Sequence, residues 1–167
     1  MRAATLHALL LLAIVVGLGF ALYAYAESVD AGLRNSCNVN SVFNCSKIDT
    51  SGMTTTLGIQ DYVWGISGFV VLLALDVPLF RSWRRDLLNA VVGVSGLGVG
   101  LSLYLGYIEL AVIQGLCPIC LGAYLSNAIA FGAALTLWWM GRGSAGGARS
   151  PRELTPAPSA VSDDAST

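Results

Sequence analysis

The sequence predicts an all-α integral membrane protein, a four-transmembrane-helix bundle with a cysteine-containing outer loop and both termini cytoplasmic. Three observations predict this class: long apolar stretches, the distribution of basic residues, and the position of the cysteines relative to both. The 167 residues are 55% hydrophobic and 11% charged, and the apolar stretches are too long for a soluble core of this size. A membrane-spanning helix needs about 20 mostly apolar residues. Four stretches meet this requirement, at about 6–26, 62–80, 87–113 and 118–140.

The first apolar stretch has two interpretations. Ala24-Tyr25-Ala26 has the small-x-small form of a signal-peptidase site. However, the apolar run is longer than a usual signal core, and only Arg2 and the amino terminus supply positive charge before it. We therefore favour a retained helix, whereas cleavage would leave three spans with the cysteine loop still outside. His7, the one histidine of the chain, is assigned no role.

The basic residues orient the bundle. Seven of them flank the ends that would share one side of the membrane: Arg2, Arg81, Arg84, Arg85, Arg142, Arg149 and Arg152. The opposite side carries two, Arg34 and Lys47. Because positive charge collects on the cytoplasmic side, residues 27–61 become an outer loop, and all four cysteines lie on the side where disulfides persist. We expect a multi-pass plasma-membrane protein with its active site on the outer face, or an endoplasmic reticulum protein with a luminal site in a eukaryote.

The chain divides into one catalytic domain and a tail. Residues 1–140 hold the four spans, of which the third is interrupted only by small residues, Tyr104, Tyr107 and Glu109. Within that span, Gly96-x-x-x-Gly100 predicts a close helix–helix approach. Residues 141–167 are rich in Gly, Ser, Ala and Pro and are predicted to be a disordered cytoplasmic tail. We expect no soluble catalytic domain after the bundle and therefore expect any soluble redox partner to be a separate protein.

Cys117-Pro118-Ile119-Cys120 opens the last span. Pro118 suits the first turn of a helix, which places Cys117 near the N-cap, where the helix dipole favours a thiolate and lowers the thiol pKa. Cys120 lies one turn deeper on the same face, and Tyr124 and Asn127 continue that face. Polar groups below a thiol inside a membrane indicate a substrate pocket. Asn127 equally fits a hydrogen bond between helices.

Cys37 and Cys45 lie in the outer loop, and together with Cys117 and Cys120 they are typical of an electron relay. A relay requires Cys45 to reach both Cys37 and Cys117 with Cα atoms within about 7 Å. A zinc site is disfavoured because seven residues separate Cys37 and Cys45, whereas zinc-binding pairs are usually spaced by about two to four. We predict no metal site. Static structural disulfides remain an alternative.

On these features the chain resembles the vitamin K epoxide reductase family. The resemblance covers about residues 6–140 and includes the four-span order, the Cys-x7-Cys loop and the Cys-x-x-Cys at the last helix. Three further segments are similar to the family's loop and the start of its second helix: Cys45-Ser46-Lys47-Ile48-Asp49-Thr50-Ser51, Leu57-Gly58-Ile59 and Trp64-Gly65. The other bacterial family of four-helix disulfide oxidases carries its Cys-x-x-Cys in the first outer loop, and here that motif comes last.

The resemblance implies residue roles. Cys37, Cys45, Cys117 and Cys120 match the catalytic cysteines. Four residues form the predicted quinone site: Tyr124, which matches the quinone-contacting tyrosine; Asp61, at the place of a pocket asparagine in vertebrate members; Ser51, which matches a loop serine or threonine; and Asn127, which comes from helix spacing alone. The chain departs from many bacterial members at Gln60, where they have proline, at the proline within the Cys-x-x-Cys, and in having no fused thioredoxin-like domain.

The implied function is that of a thiol:quinone oxidoreductase supporting disulfide bond formation. A separate thioredoxin-like protein on the outer side would donate electrons through Cys37 and Cys45 to Cys117 and Cys120. A bound quinone (ubiquinone, menaquinone or a vitamin K type) would accept them from within the lipid bilayer. No nucleic acid partner is expected. Two alternatives stay open: reduction of a quinone epoxide, as in animal members, and a non-enzymatic four-span protein with structural or metal-binding cysteines.

Overall fold

The computed structural model describes residues 2–30, 32–33, 38, 40, 43–45, 55–56, 58–81 and 84–143. The helices are α1 (Arg2–Val29), α2 (Asp61–Arg81), α3 (Arg85–Tyr107), which continues as a π-helical segment (Ile108–Ile113), and α4 (Pro118–Gly143). Within the described ranges, four helices are long and apolar enough to cross a membrane: Ala3–Val29, Asp61–Leu79, Arg85–Ile113 and Pro118–Arg142. The predicted all-α, four-span fold is confirmed. Residues 144–167 of the predicted tail lie outside the described residues.

The four helices pack as a ring. α1 and α3 each contact both α2 and α4. The side chains at the centre are fully buried and almost all aliphatic, with Leu10, Ile14, Leu79, Val91 and Leu137 the largest of them. The outward faces are also apolar, as an element solvated by lipid requires. Apolar character on every side therefore places the bundle in a membrane.

Glycines bring α3 and α4 close together. A Cβ atom on Gly96 would lie 3.2 Å from the Phe131 ring, and one on Gly98 would lie 2.7 Å from the Asn127 amide. A Cβ on Gly100 would meet nothing within 4 Å among the described atoms. The expectation that Gly96 and Gly100 form the contact is therefore wrong for Gly100. The contact uses Gly96 and Gly98, because side chains of α4 project into the spaces they leave.

We call the end of the bundle where α1 begins and α4 ends the basic end, and the opposite end the cysteine end. At the basic end, His7 Nε2 lies 3.4 Å from Asp76 Oδ1, and both side chains are buried. Nearby, the indole N–H of Trp138 donates to Asn89 Oδ1 at 2.8 Å, and the Arg142 guanidinium stacks 3.8 Å above the Trp138 ring. These polar contacts join α1 to α2 and α3 to α4.

At the cysteine end, a short hairpin leads into α2. Strand β1 (Thr55–Thr56) pairs antiparallel with β2 (Ile59–Gln60). Gly58 has a φ of +79° at the turn, a conformation that glycine adopts without a Cβ clash. Since β2 is followed directly by α2, the hairpin fixes Asp61 at the first turn of that helix.

Candidate functional site

Cys117 is the N-cap residue of α4. The helix begins at Pro118, and its first backbone bond runs from the Leu121 N–H to the Cys117 carbonyl at 2.9 Å. The Cys120 N–H donates to Cys117 Sγ at 3.2 Å. This is the bond that a serine hydroxyl makes at an ordinary N-cap, with sulfur in place of oxygen. The Cys117 sulfur is thus held at the positive end of the helix dipole.

The surroundings of Cys117 favour its thiolate. The Cys117 pKa is lowered from its ordinary value, chiefly because the Cys120 side chain hydrogen-bonds its sulfur. Backbone N–H groups of Cys120 and Ile119 lower it further, while burial and the charge of Glu109 oppose them. A thiolate, not a thiol, performs disulfide exchange, so Cys117 is suited to that chemistry.

The loop between α1 and α2 packs on the segment before α4. Phe43 forms a parallel bridge with Leu116, and the Asn44 N–H donates to the Leu116 carbonyl at 3.2 Å. Because Cys45 and Cys117 are the next residues along these paired segments, their sulfur atoms are brought together. The two Sγ atoms are 3.3 Å apart, and the residues are 6% and 4% exposed. Cys45 is disulfide-bonded, whereas Cys117 and Cys120 are free thiols.

Glu109 lies beside Cys117, and its position depends on an irregular turn. After α3 the chain continues as a π-helix that ends at Gln114, which has a φ of 52°. The N–H groups of Gln114 and Gly115 both donate to the Glu109 carbonyl. The turn folds the next residues back, so that Cys117 lies beside the side chain of a residue eight positions earlier.

The Glu109 carboxylate joins three parts of the site. Its Oε1 accepts the Tyr124 hydroxyl at 2.9 Å, and its Oε2 accepts the Cys117 N–H at 3.3 Å. The residue is 5% exposed. In the sequence, Glu109 stands out only as an interruption of an apolar run. The signal that could have found it is its charge, since an ionisable residue inside a span is a functional candidate by default.

A cavity of about 200 Å³ opens beside this cluster, between the helices. Its walls are largely apolar, and its polar groups gather at the cysteine end. The apolar walls include Phe20, Phe69, Leu72, Val94, Leu101 and Leu105. The polar lining includes Glu27, Ser28, Cys45, Gln60, Asp61, Tyr62, Ser102, Glu109, Cys117, Cys120, Tyr124 and Asn127. An apolar cleft with a few convergent polar groups is the usual form of a small-molecule site.

Most of the sequence-predicted site residues meet at this cavity. Tyr124 and Asp61 line it together with Cys45, Cys117 and Cys120. Cys37 and Ser51 lie outside the described residues.

Asn127 has two kinds of contact. It lines the cavity, and its amide donates to the Ser95 carbonyl of α3 at 3.3 Å. The helix–helix bond that the sequence left as an alternative is therefore present, and quinone binding by Asn127 stays a prediction. Across the part of the chain that the structure describes, no group of three or more His, Cys, Asp or Glu side chains is arranged to hold a metal ion.

The described cysteines allow two chemical steps. The first is thiol–disulfide exchange between Cys45 and Cys117, whose sulfur atoms are in contact. The second is transfer of two electrons from the Cys117 and Cys120 pair to a molecule in the cavity that both residues line.

The chain matches a known protein family. The family model described as the Vitamin K epoxide reductase family matches residues 8–135. The matched region extends from α1 through most of α4 and includes all four cysteines.

Proposed function

We propose that this chain, which belongs to the vitamin K epoxide reductase family, is a thiol:quinone oxidoreductase that supports disulfide bond formation. Membership of the family makes it an integral membrane oxidoreductase with quinone-linked redox activity. The proposal adds the direction of electron flow, the partner and the residues.

One observation carries the electron route, namely the 3.3 Å contact between Cys45 Sγ and Cys117 Sγ. Exchange requires a thiolate to attack a disulfide sulfur directly, through a mixed-disulfide intermediate. Cys117 has the lowered pKa of an exchanging thiol, and both sulfur atoms are shielded from solvent. The contact supports the assignment of these two cysteines as the point where electrons cross from the loop to the bundle.

In the proposed first half-reaction, a reduced partner gives two electrons to a Cys37–Cys45 disulfide and is itself oxidised. The Cys45 thiolate then attacks Cys117, which breaks the Cys117–Cys120 bond. Cys37 resolves the Cys45–Cys117 mixed disulfide, which restores the loop disulfide and leaves two free thiols on α4. A disulfide-bonded Cys45 with free Cys117 and Cys120 is the product state of this sequence.

In the proposed second half-reaction, Cys117 and Cys120 reform their disulfide and a quinone becomes a quinol. Two S–H bonds break, one S–S bond forms, and two electrons and two protons pass to the quinone. The cavity of about 200 Å³ is smaller than the ~300–1,000 Å³ of typical drug-sized sites, which suits a ring head group whose tail lies in lipid. The Tyr124 hydroxyl would stabilise charge developing on a quinone oxygen. Asp61, Asn127 and Ser51 complete the proposed quinone contacts.

The membrane orientation is part of the proposal. Seven basic residues lie at the basic end or next to it in sequence, against two in the loop between α1 and α2, which favours cytoplasmic termini and a cysteine end on the outer face. The donor would then be a separate thioredoxin-like protein on the outer side. Its electrons would enter at the loop cysteines.

The test is quinone reduction by the detergent-purified protein, driven by a reduced thioredoxin-like donor or by dithiothreitol. Cys120→Ala is expected to abolish turnover without loss of helical content, because no disulfide can reform on α4. Ser126→Ala is the matched control, since the Ser126 hydroxyl bonds within α4 to the Gly122 carbonyl and the residue does not line the cavity. Turnover that survives in Cys120→Ala would contradict the proposal. Reduction of a quinone epoxide but not of the parent quinone would assign the reductive reaction instead.

A further inference from the structure

We propose that Glu109 is the proton-transfer group of the site, taking a proton from the Cys117 and Cys120 dithiol and passing it through Tyr124 to a quinone oxygen. The inference rests on the proposed function and assigns the path of one of its two protons. It gives a role to a carboxylate that the electron relay does not use.

The geometry of Glu109 fits a carrier between thiols and phenol. On one side its carboxylate accepts the Cys117 N–H at 3.3 Å, and Cys120 lines the same cavity wall. On the other side it accepts the Tyr124 hydroxyl at 2.9 Å. All four residues line the same cavity. One buried side chain therefore touches both the proton source and the group that faces the acceptor.

A carboxylate bonded to a phenol can reverse its hydrogen bond. Ionised Glu109 only accepts, so the Tyr124 O–H points to it; protonated Glu109 gains a donor, and the phenol can then direct its own hydrogen into the cavity. In the proposed step, a thiol proton moves to Glu109 and the Tyr124 proton moves to the quinone oxygen. The proton on Glu109 then moves to the Tyr124 oxygen and restores the hydroxyl. The net change is one proton from sulfur to oxygen, and Glu109 and Tyr124 are unchanged.

The surroundings of Glu109 indicate a chemical role. An ionisable side chain among membrane helices is costly and is normally paired or functional. Of the residues that the structure describes, no basic side chain forms an ion pair with Glu109, and the one ion pair among them joins His7 and Asp76. Glu109 also lies on a π-helical segment, a distortion that frequently occurs at functional sites. The other titratable groups lining the cavity are Glu27, Asp61 and Tyr62.

The rival explanation is that Glu109 merely positions Cys117 through its backbone N–H. Glu109→Gln separates the two roles, because glutamine keeps the length and its single carbonyl oxygen can still accept the Cys117 N–H, but its amide cannot carry a proton. The two half-reactions are measured separately in single-turnover experiments. One follows electron transfer from a reduced donor to the α4 disulfide, and the other follows quinone reduction by the pre-reduced protein across a range of pH.

For a proton carrier, Glu109→Gln leaves the exchange half-reaction close to wild type and slows quinone reduction by about 10²–10⁴-fold, the usual contribution of a positioned proton-transfer group. The residual rate of quinone reduction loses the part of its pH dependence that is due to Glu109. Glu109→Asp, which keeps a carboxylate, recovers part of the rate. Asp76→Asn is the matched control, since it neutralises a buried carboxylate at the basic end, and quinone reduction per folded protein is expected to match wild type.

Equal loss in both half-reactions, or an unchanged rate and pH profile of quinone reduction, would overturn the assignment of Glu109. Failure of the wild-type protein to reduce any quinone is a different result, because it overturns the proposed function and this step with it.

Discussion

The two ends of the bundle bury ionisable side chains in opposite ways. At the basic end, Asp76 is 2% exposed and faces His7, and neither residue lines the cavity. At the cysteine end, Glu109 is almost as buried but faces two thiols and a phenol at the wall of that cavity. Both carboxylates lie within candidate membrane spans.

This difference shows how to interpret a charge inside a membrane protein. Burial alone marks both carboxylates as candidates for function. Their neighbours separate them, because Asp76 lies beside a polar partner, His7, whereas Glu109 faces thiols and open space and can exchange protons with those thiols. The His7–Asp76 pair should therefore determine stability, and the Glu109 site should determine the rate of quinone reduction. Variants at the two ends test this difference.

The largest expected effect is at the basic end. His7→Ala leaves Asp76 buried without its partner, and removal of one member of a buried pair costs about 3–5 kcal/mol. We expect this loss in the free energy of unfolding, measured by denaturant titration in detergent micelles. Quinone reduction per folded protein should not change.

The double variant His7→Leu with Asp76→Leu is the control for that loss. Replacement of a whole buried pair by apolar residues is often neutral or stabilising, so the double variant should be more stable than His7→Ala. If His7→Ala lowered the rate of quinone reduction without lowering stability, the structural interpretation of the basic end would be wrong.

At the cysteine end, Tyr124→Phe should affect rate. The substitution removes the hydroxyl that bonds Glu109, and loss of one donor to a developing oxyanion costs about 10²–10³ in rate. Steady-state quinone reduction measures the effect. Tyr104→Phe, on an exposed position of α3, is the control and should behave as wild type. An unaltered rate in Tyr124→Phe would remove the phenol from the mechanism.

The sequence predicts features that depend on neighbouring residues, but not contacts that depend on how distant segments pack. The four spans follow from apolar length, and the start of α4 follows from Pro118 beside Cys117. Glu109 could not be placed in this way, since its contact with Cys117 arises from a π-helix and a left-handed Gln114 that no spacing rule predicts. The His7–Asp76 pair was missed for a similar reason, because it joins residues far apart in the chain.

A smaller effect is expected between the two ends, where α3 meets α4. Gly98→Ala would place a Cβ 2.7 Å from the Asn127 amide, which must move and weaken its bond to Ser95. Overpacking of this kind costs about 1–3 kcal/mol, observed as a lower thermal unfolding midpoint. Gly100→Ala is the matched control, because it meets no described atom and alanine favours a helix by up to about 1 kcal/mol. Equal stability of the two variants would contradict the close approach at Gly98.

The smallest effect concerns coupling within the cysteine end. The Cys117 pKa is lowered chiefly by the Cys120 side chain, and the negative charge of Glu109 acts against that lowering. A lowered pKa moves thiolate formation to lower pH, so neutralising Glu109 should move it lower still. The ultraviolet absorbance of the thiolate, taken as the difference between the reduced protein and Cys117→Ser, gives the titration midpoint with and without Glu109→Gln. A midpoint that moves to higher pH would contradict a charged Glu109 beside Cys117, whereas a downward shift would mean that the carboxylate is ionised when the thiol loses its proton.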